Sequence, residues 1–172
     1  MLGTKYKKVE LVKYQTSWRE SYQAEMQLIQ VTLGSKIIEI QHVGSTSIEG
    51  MDAKPTIDIL VGLADLNPSS FYDADLSKVG YQFRPDHPVP GRLHYAKIER
   101  DIRFFNLSLC VHNQEFWNNH ILFRDYLITH PETAQEYCNL KHNLAIQYPN
   151  CTTEYTEGKT RFILSILAKT QH

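Results

Sequence analysis

Residues 42–61, HVGSTSIEGMDAKPTIDILV, decide which fold this sequence can adopt and where its chemistry lies. A β-branched run over 37–43 predicts a strand that ends in a polar loop. The loop begins at Gly44 and continues with three small hydroxyl residues: Ser45, Thr46 and Ser47. Glycine lets a ligand approach the backbone closely, and hydroxyl and free N–H groups donate to phosphate oxygens. The junction of strand and loop therefore predicts a phosphate-binding loop.

Asp58 lies fourteen residues after Gly44, inside the next predicted strand, 57–61. A carboxylate between two isoleucines is costly to bury without a partner. Mg²⁺ binds carboxylates together with substrate phosphates, so Asp58 is a candidate ligand for Mg²⁺ or Mn²⁺. A hydrogen bond to neighbouring backbone is the alternative. Lys54 precedes Asp58 and is either a cation for developing phosphate charge or simply exposed. His42 is either a catalytic base or a hydrogen-bonded strand residue.

The rest of the chain predicts strands first and helices afterwards. Strands are expected over 8–14, 81–84, 92–98 and 103–111, and helices over 17–33, 69–79, 113–129, 131–147 and 156–170. This order is typical of an α+β protein. We expect one domain, 1–172, with a sheet portion over 8–111 and a helical portion over 113–172.

Composition narrows the class of protein. The chain has 42% hydrophobic residues, with 18 basic and 19 acidic side chains, which excludes disordered and strongly basic classes. No secretory signal and no run of about 18–20 apolar residues is present. The three cysteines form no C-x-x-C pair. We expect a soluble cytoplasmic protein whose partners are small molecules rather than a membrane or a long nucleic acid.

Segment 42–61 resembles the signature of the GrpB family, which belongs to the nucleotidyltransferase-fold superfamily. The resemblance continues through LFRDYL at 122–127. Further matching positions are Pro131, Ala134, Tyr137, Leu140, Lys141, Tyr155, Lys159, Phe162 and Ile163. It implies a mixed β-sheet flanked by helices, with a C-terminal helical layer. It also implies that a Gly-Ser loop holds a nucleotide triphosphate and that acidic residues hold a divalent metal.

The sequence departs from the superfamily pattern where the metal is expected. The second aspartate of Asp-x-Asp is replaced by Leu60, and Asn106 and Ser108 stand where relatives commonly carry His-x-His. Two-metal phosphoryl transfer requires ligands that hold two ions about 3.5–4 Å apart. Side chains that could complete the set are Glu49, Asp52 and His94. The metal count is therefore open.

Two functions compete at this site. The first is a nucleotidyltransferase for a small acceptor, in which Asp58 and Lys54 are catalytic and Asp58 binds the metal. Its phosphate-binding residues are predicted to be His42, Gly44, Ser45, Thr46, Ser47, Arg124 and Lys159. Arg124 and Lys159 also have simpler interpretations, as a structural ion pair with Asp125 and as a solvated lysine. The second function is a catalytically degenerate module that binds a nucleotide or coenzyme. A partner-binding role for the aromatic-rich helical third is a weaker alternative.

Overall fold

The structure is a computed structural model that describes residues 2–5, 7–86 and 89–170. Its strands are β1 (Thr4–Lys5), β2 (Ile37–Val43), β3 (Ile57–Leu63), β4 (Tyr81–Phe83), β5 (Arg92–Glu99) and β6 (Ile102–Val111). Its α-helices are α1 (Ser17–Leu33), α2 (Ser70–Lys78), α3 (Glu115–Thr129), α4 (Pro131–Gln147), α5 (Thr152–Glu157) and α6 (Thr160–Thr170). Short 3₁₀ turns cover Gly34–Lys36 and Ser45–Ser47.

The strands form a mixed sheet in the order β2-β3-β6-β5-β4, and β1 pairs with β6. Strands β3 and β6 are parallel and the other pairs are antiparallel. One row across the sheet joins Val43, Asp58, Asn106 and Ala96. The mixed α+β architecture predicted from the sequence is therefore confirmed, and the apolar strand β3 lies inside the sheet.

The two faces of the sheet pack against different helices. Side chains alternate between the faces of a strand, so Ile57 packs with Trp18 of α1 in the main core. On the opposite face Leu60 packs with Trp117 of α3. Asp58 shares that second face with Leu60 by the same alternation. The strand pattern thus aims the carboxylate at the C-terminal helical layer.

The polar loop after β2 is enclosed by this helical layer. Ile48 and Met51 of the loop are buried against Leu127, Tyr137 and neighbouring side chains of α3, α4 and α6. Burial of apolar side chains on both sides fixes the path of the loop across the sheet edge. The loop is consequently a packed element and not a free surface turn.

Two elements differ from the sequence prediction. The strand over 8–14 is wrong, because these residues make only an isolated bridge between Val12 and Ala53. Val9 is instead buried against Leu144 and Tyr155, so this β-forming run packs under helices without joining the sheet. The helix over 156–170 begins earlier, at Thr152, and is divided into α5 and α6. Within the described residues, no helix has the length and apolar character that a bilayer crossing requires.

Candidate functional site

A cavity of about 660 Å³ opens between the β2–β3 loop, the polar face of the sheet and the helical layer. It is lined by six of the predicted site residues: Gly44, Ser45, Thr46, Lys54, Asp58 and Lys159. His42, Ser47 and Arg124 are not among its lining residues. In the described part of the chain, the lining cations are Lys54, Arg92, Arg103 and Lys159, and the carboxylates are Asp58, Asp86 and Glu157. The structure thus brings most of the predicted set together around one space.

Asp58 is paired with an amide and not with a second carboxylate. The Nδ2 group of Asn106 donates to Oδ1 of Asp58 at 2.8 Å, as their neighbouring positions in the parallel β3–β6 pair allow. A carboxylate accepts only, so the amide nitrogen must face it. Oδ1 of Asn106 is then buried, and among the described residues no donor reaches it. This orphaned oxygen is a spare acceptor beside Asp58.

Gly44 brings loop backbone directly against this carboxylate. Its φ of 72° and ψ of −176° belong to a region that is essentially restricted to glycine. A Cβ atom added there would lie 2.4 Å from Oδ2 of Asp58. Ser47 stabilises the conformation of the loop, since its hydroxyl donates to the Gly44 carbonyl oxygen at 2.6 Å. An anion at this loop would therefore lie beside the Asp58 carboxylate and would require a cation nearby.

Two lysines supply positive charge in the same cavity. The ammonium groups of Lys54 and Lys159 lie 5.3 and 4.6 Å from the ring centroid of Tyr155. Burial lowers the pKa of Lys54, against the opposing effect of Asp58. Burial lowers the pKa of Lys159 to about 7, with a further contribution from the charge of Lys54. Such desolvated ammonium groups attract an anion strongly.

His42 and Arg124 have structural contacts outside the cavity. The His42 ring stacks on Tyr22, and its Nε2 atom lies 3.0 Å from the Thr46 hydroxyl. Arg124 donates from Nη1 to Gln41 Oε1 at 2.6 Å and to the His42 carbonyl oxygen at 2.9 Å. Its Nε also donates to Asp125 at 2.7 Å. These contacts match the structural interpretation of Arg124, because its guanidinium ties α3 to β2.

The side chains considered as additional metal ligands do not gather around Asp58. Glu49 is exposed, and the Asp52 carboxylate faces Lys13 and His142. His94 does line the cavity. In the described part of the chain, no group of three His, Cys, Asp or Glu side chains close enough to share an ion includes Asp58. The described residues therefore do not supply the set of protein ligands that a two-metal centre requires.

Sequence reasoning did not identify Arg92 and Arg103 as cavity residues. Arg92 lies two positions from His94 on predicted strand 92–98, and residues two apart share a strand face. That spacing could have predicted Arg92 as a cavity residue. No sequence pattern predicts Arg103, because its position depends on the pairing of β1 with β6.

His42 is expected to make the protein sensitive to acid. Burial, and to a lesser extent the Arg124 charge, lower the pKa of His42 to about 4, below its ordinary value of 6.5. The folded state therefore resists protonation more than the unfolded state. Neutral His42 therefore does not reduce the free energy of unfolding above pH 6.5. As the pH falls from 6.5 towards 4, the histidine is protonated in the unfolded state first, and the free energy of unfolding decreases by about 2–3 kcal/mol. Urea unfolding measured across this range should show the loss.

The matched variant for this measurement is His42→Gln, with His130→Gln as an exposed control. The first change should flatten the pH dependence between 6.5 and 4, and the second should leave it unchanged. An equally steep decline in His42→Gln would show that other groups cause the acid sensitivity.

Comparison with solved structures shows that the fold is nucleotidyltransferase-like. The crystal structure of the Cid1 poly(U) polymerase bound to MgATP is similar at TM-score 0.55 and 13% identity, over 77% of this chain and 44% of that chain. At this identity the likeness concerns the fold alone.

The particular family is established by more extensive similarity. The GrpB protein family model matches residues 8–169, and the chain belongs to this family. It is 36% identical over 171 residues to the glutamate-rich protein GrpB of Alkalihalophilus pseudofirmus, covering 97% of this chain and 98% of that protein. The crystal structure of the conserved protein GrpB from Enterococcus faecalis is similar at TM-score 0.85 and 26% identity, over 94% of this chain and 96% of that chain.

Proposed function

We propose that the cavity binds a nucleotide or another small phosphorylated molecule. The phosphate is placed at loop residues 44–46, and the ammonium groups of Lys54 and Lys159 are its counter-charges. The observation that carries this proposal is the convergence of two desolvated lysines and a glycine-led loop on one carboxylate, Asp58. A bound phosphate would place negative charge beside the two positively charged ammonium groups.

Binding without a two-metal centre is the form of this function that the site supports best. Asp58 has an amide neighbour, and the second acidic position of the superfamily pattern is Leu60. A single Mg²⁺ or Mn²⁺ could still be held by Asp58 and the Oδ1 atom of Asn106 together with ligand phosphates. Such an ion would neutralise part of the phosphate charge. The two lysines neutralise phosphate charge whether or not the ion is bound.

The nucleotide panel that tests binding compares ATP, ADP and AMP with adenosine. Binding to the folded state raises the melting temperature in proportion to the logarithm of ligand concentration over Kd. We expect phosphorylated ligands to stabilise the protein in the presence of a chelator, and adenosine to have little effect. Stabilisation that requires a divalent ion in every case would contradict binding by the lysines.

Nucleotidyl transfer to a small acceptor is the second candidate. It is favoured by the close approach of Gly44 to Asp58 and by the unpartnered Oδ1 atom of Asn106, which together offer oxygen ligands beside the loop. An acceptor hydroxyl or amine would attack the α-phosphorus, the bond to the pyrophosphate leaving group would break, and the acceptor proton would pass to solvent. Pyrophosphate release from the four nucleoside triphosphates, with Mg²⁺ or Mn²⁺ and an acceptor panel, tests this reaction. Full activity in Asp58→Asn would remove the metal role.

Phosphate affinity is expected to depend on pH through Lys159. Its pKa of about 7 in the free protein is raised when an anion binds, so binding takes up a proton above pH 7. The affinity for AMP should therefore fall between pH 7.5 and 9, by up to about tenfold per pH unit. Its phosphate, with a second pKa of about 6, stays doubly ionised over this range.

Titration calorimetry of AMP at several pH values provides the measurement. In Lys159→Arg the guanidinium stays charged over this range, and the fall in affinity should largely disappear. An unchanged pH profile in that variant would show that Lys159 does not carry the charge that the phosphate meets.

A further inference from the structure

A second cluster of chemically reactive side chains lies on the other side of the β2–β3 loop. Cys138 and His142 are one helical turn apart on α4, so they share one face of the helix. Asp52 of the loop lies opposite them. One ligand atom from each residue lies within 4.8 Å of the other two. None of the three lines the phosphate cavity.

Asp52 supplies a buried carboxylate oxygen to this cluster. Its carboxylate is only 6% exposed, and its Oδ2 atom lies 2.9 Å from Nε2 of His142 and 3.0 Å from Nζ of Lys13. Lys141 donates to the backbone carbonyl oxygen of Asp52 and leaves the carboxylate available.

We propose that Asp52, Cys138 and His142 form a binding site for a single zinc ion. Thiolate sulfur, imidazole nitrogen and carboxylate oxygen are the ligands that zinc prefers. Tetrahedral zinc bonds of about 2.0–2.3 Å place ligand atoms about 3.3–3.8 Å apart, so modest side-chain rotations close the present separation. Binding displaces the thiol proton of Cys138 to solvent, and His142 binds as the neutral imidazole through the ring nitrogen that carries no proton.

The competing cation at this site is weakly held. The Lys13 side chain is 91% exposed, and exposed ion pairs contribute little stability. The ammonium can therefore turn to solvent when zinc takes the carboxylate oxygen. The His142 side chain is 46% exposed, so solvent reaches the site and a water can complete the fourth position.

Zinc at this position would fix the loop to the helical layer. Asp52 precedes the cavity residue Lys54 by two positions, and α4 carries both other ligands. The ion is thus expected to limit the motion of the loop without touching the phosphate. The proposal does not depend on the function proposed for the cavity, because the two sites share no residue.

Cobalt titration of the full, chelator-treated chain tests the site. A Co²⁺–thiolate charge-transfer band should appear and saturate at one ion per chain, and Zn²⁺ should abolish it by displacement. Cys138→Ser should eliminate the band, while Cys151→Ser should retain it. Absence of the band in the unaltered chain, or its survival in Cys138→Ser, would overturn the proposal.

Two further measurements separate ligand loss from damage to the fold. In Lys13→Ala the ion pair is broken but the three ligands remain, so zinc affinity should be equal or higher; its loss would overturn the proposal. In the unaltered chain, saturating Zn²⁺ should slow alkylation of Cys138 by iodoacetamide at least tenfold and leave Cys151 unaffected. Equal protection of both cysteines, or of neither, would count against the site.

Discussion

Replacing Gly44 with alanine is expected to abolish phosphate binding in the cavity and to destabilise the protein. The backbone conformation at this position is restricted to glycine, and the new methyl group would meet Oδ2 of Asp58 at 2.4 Å. Relief requires the loop to withdraw from the carboxylate or Asp58 to leave Asn106. We expect a loss of about 1–3 kcal/mol in the free energy of unfolding, together with at least a hundredfold loss in nucleotide affinity.

Gly50→Ala is the matched control, because it lies in the same loop. Gly50 also has a positive φ, of 77°, but a Cβ atom there would meet nothing within 4 Å. It should show part of the stability loss and nearly unchanged affinity. The two variants are compared by urea unfolding and by titration calorimetry. Equal affinities in both variants would mean that the phosphate does not lie at Gly44.

Replacing Lys159 with methionine is expected to stabilise the fold and to weaken phosphate binding. Desolvation lowers the pKa of Lys159 to about 7, so folding into this environment weakens its protonation. A methionine of similar length has no charge to desolvate. We therefore expect the free energy of unfolding to rise by about 1–3 kcal/mol in Lys159→Met. Loss of a charge-assisted hydrogen bond should reduce phosphate affinity by about ten- to a hundredfold.

Opposite changes in stability and binding are the signature of a residue kept for function. Lys169→Met, on the exposed face of helix α6, which begins one residue after Lys159, is the control and should change neither quantity appreciably. Thermal unfolding and calorimetric titration with ADP provide both numbers. A Lys159→Met protein that is less stable and binds normally would support a purely structural lysine.

The segment 42–61 predicted several of the residues that line the cavity because its signals are local. A β-branched run, a glycine and an aspartate between isoleucines depend on residues a few positions apart, and the structure places Gly44 and Asp58 around one cavity. The strand predicted over 8–14 was wrong for the opposite reason. β-forming residues suit any half-buried extended segment, and Val9 packs against helices from the far end of the chain.

Contacts between residues from distant parts of the sequence could not be predicted from local patterns. From the sequence, Arg124 could either form a structural ion pair with Asp125 or face the loop, and its contacts with β2 depend on the register of α3 against that strand. The approach of Asp52 to Cys138 and His142 likewise depends on tertiary packing, since no short Cys-x-x-C spacing announces it. The sequence already showed that Leu60 replaces the second aspartate of the superfamily pattern. Only the structure shows that Asp58 pairs with the amide of Asn106.

Calorimetric titration of ATP into the unaltered protein at pH 7 in excess chelator tests phosphate binding by the two lysines most directly. We expect saturable binding at one molecule per chain, which weakens at least tenfold in Lys159→Met and is lost in Gly44→Ala. Absence of binding in chelator, with binding restored only by Mg²⁺ or Mn²⁺, would contradict the assignment of Lys54 and Lys159 as the counter-charges of the phosphate.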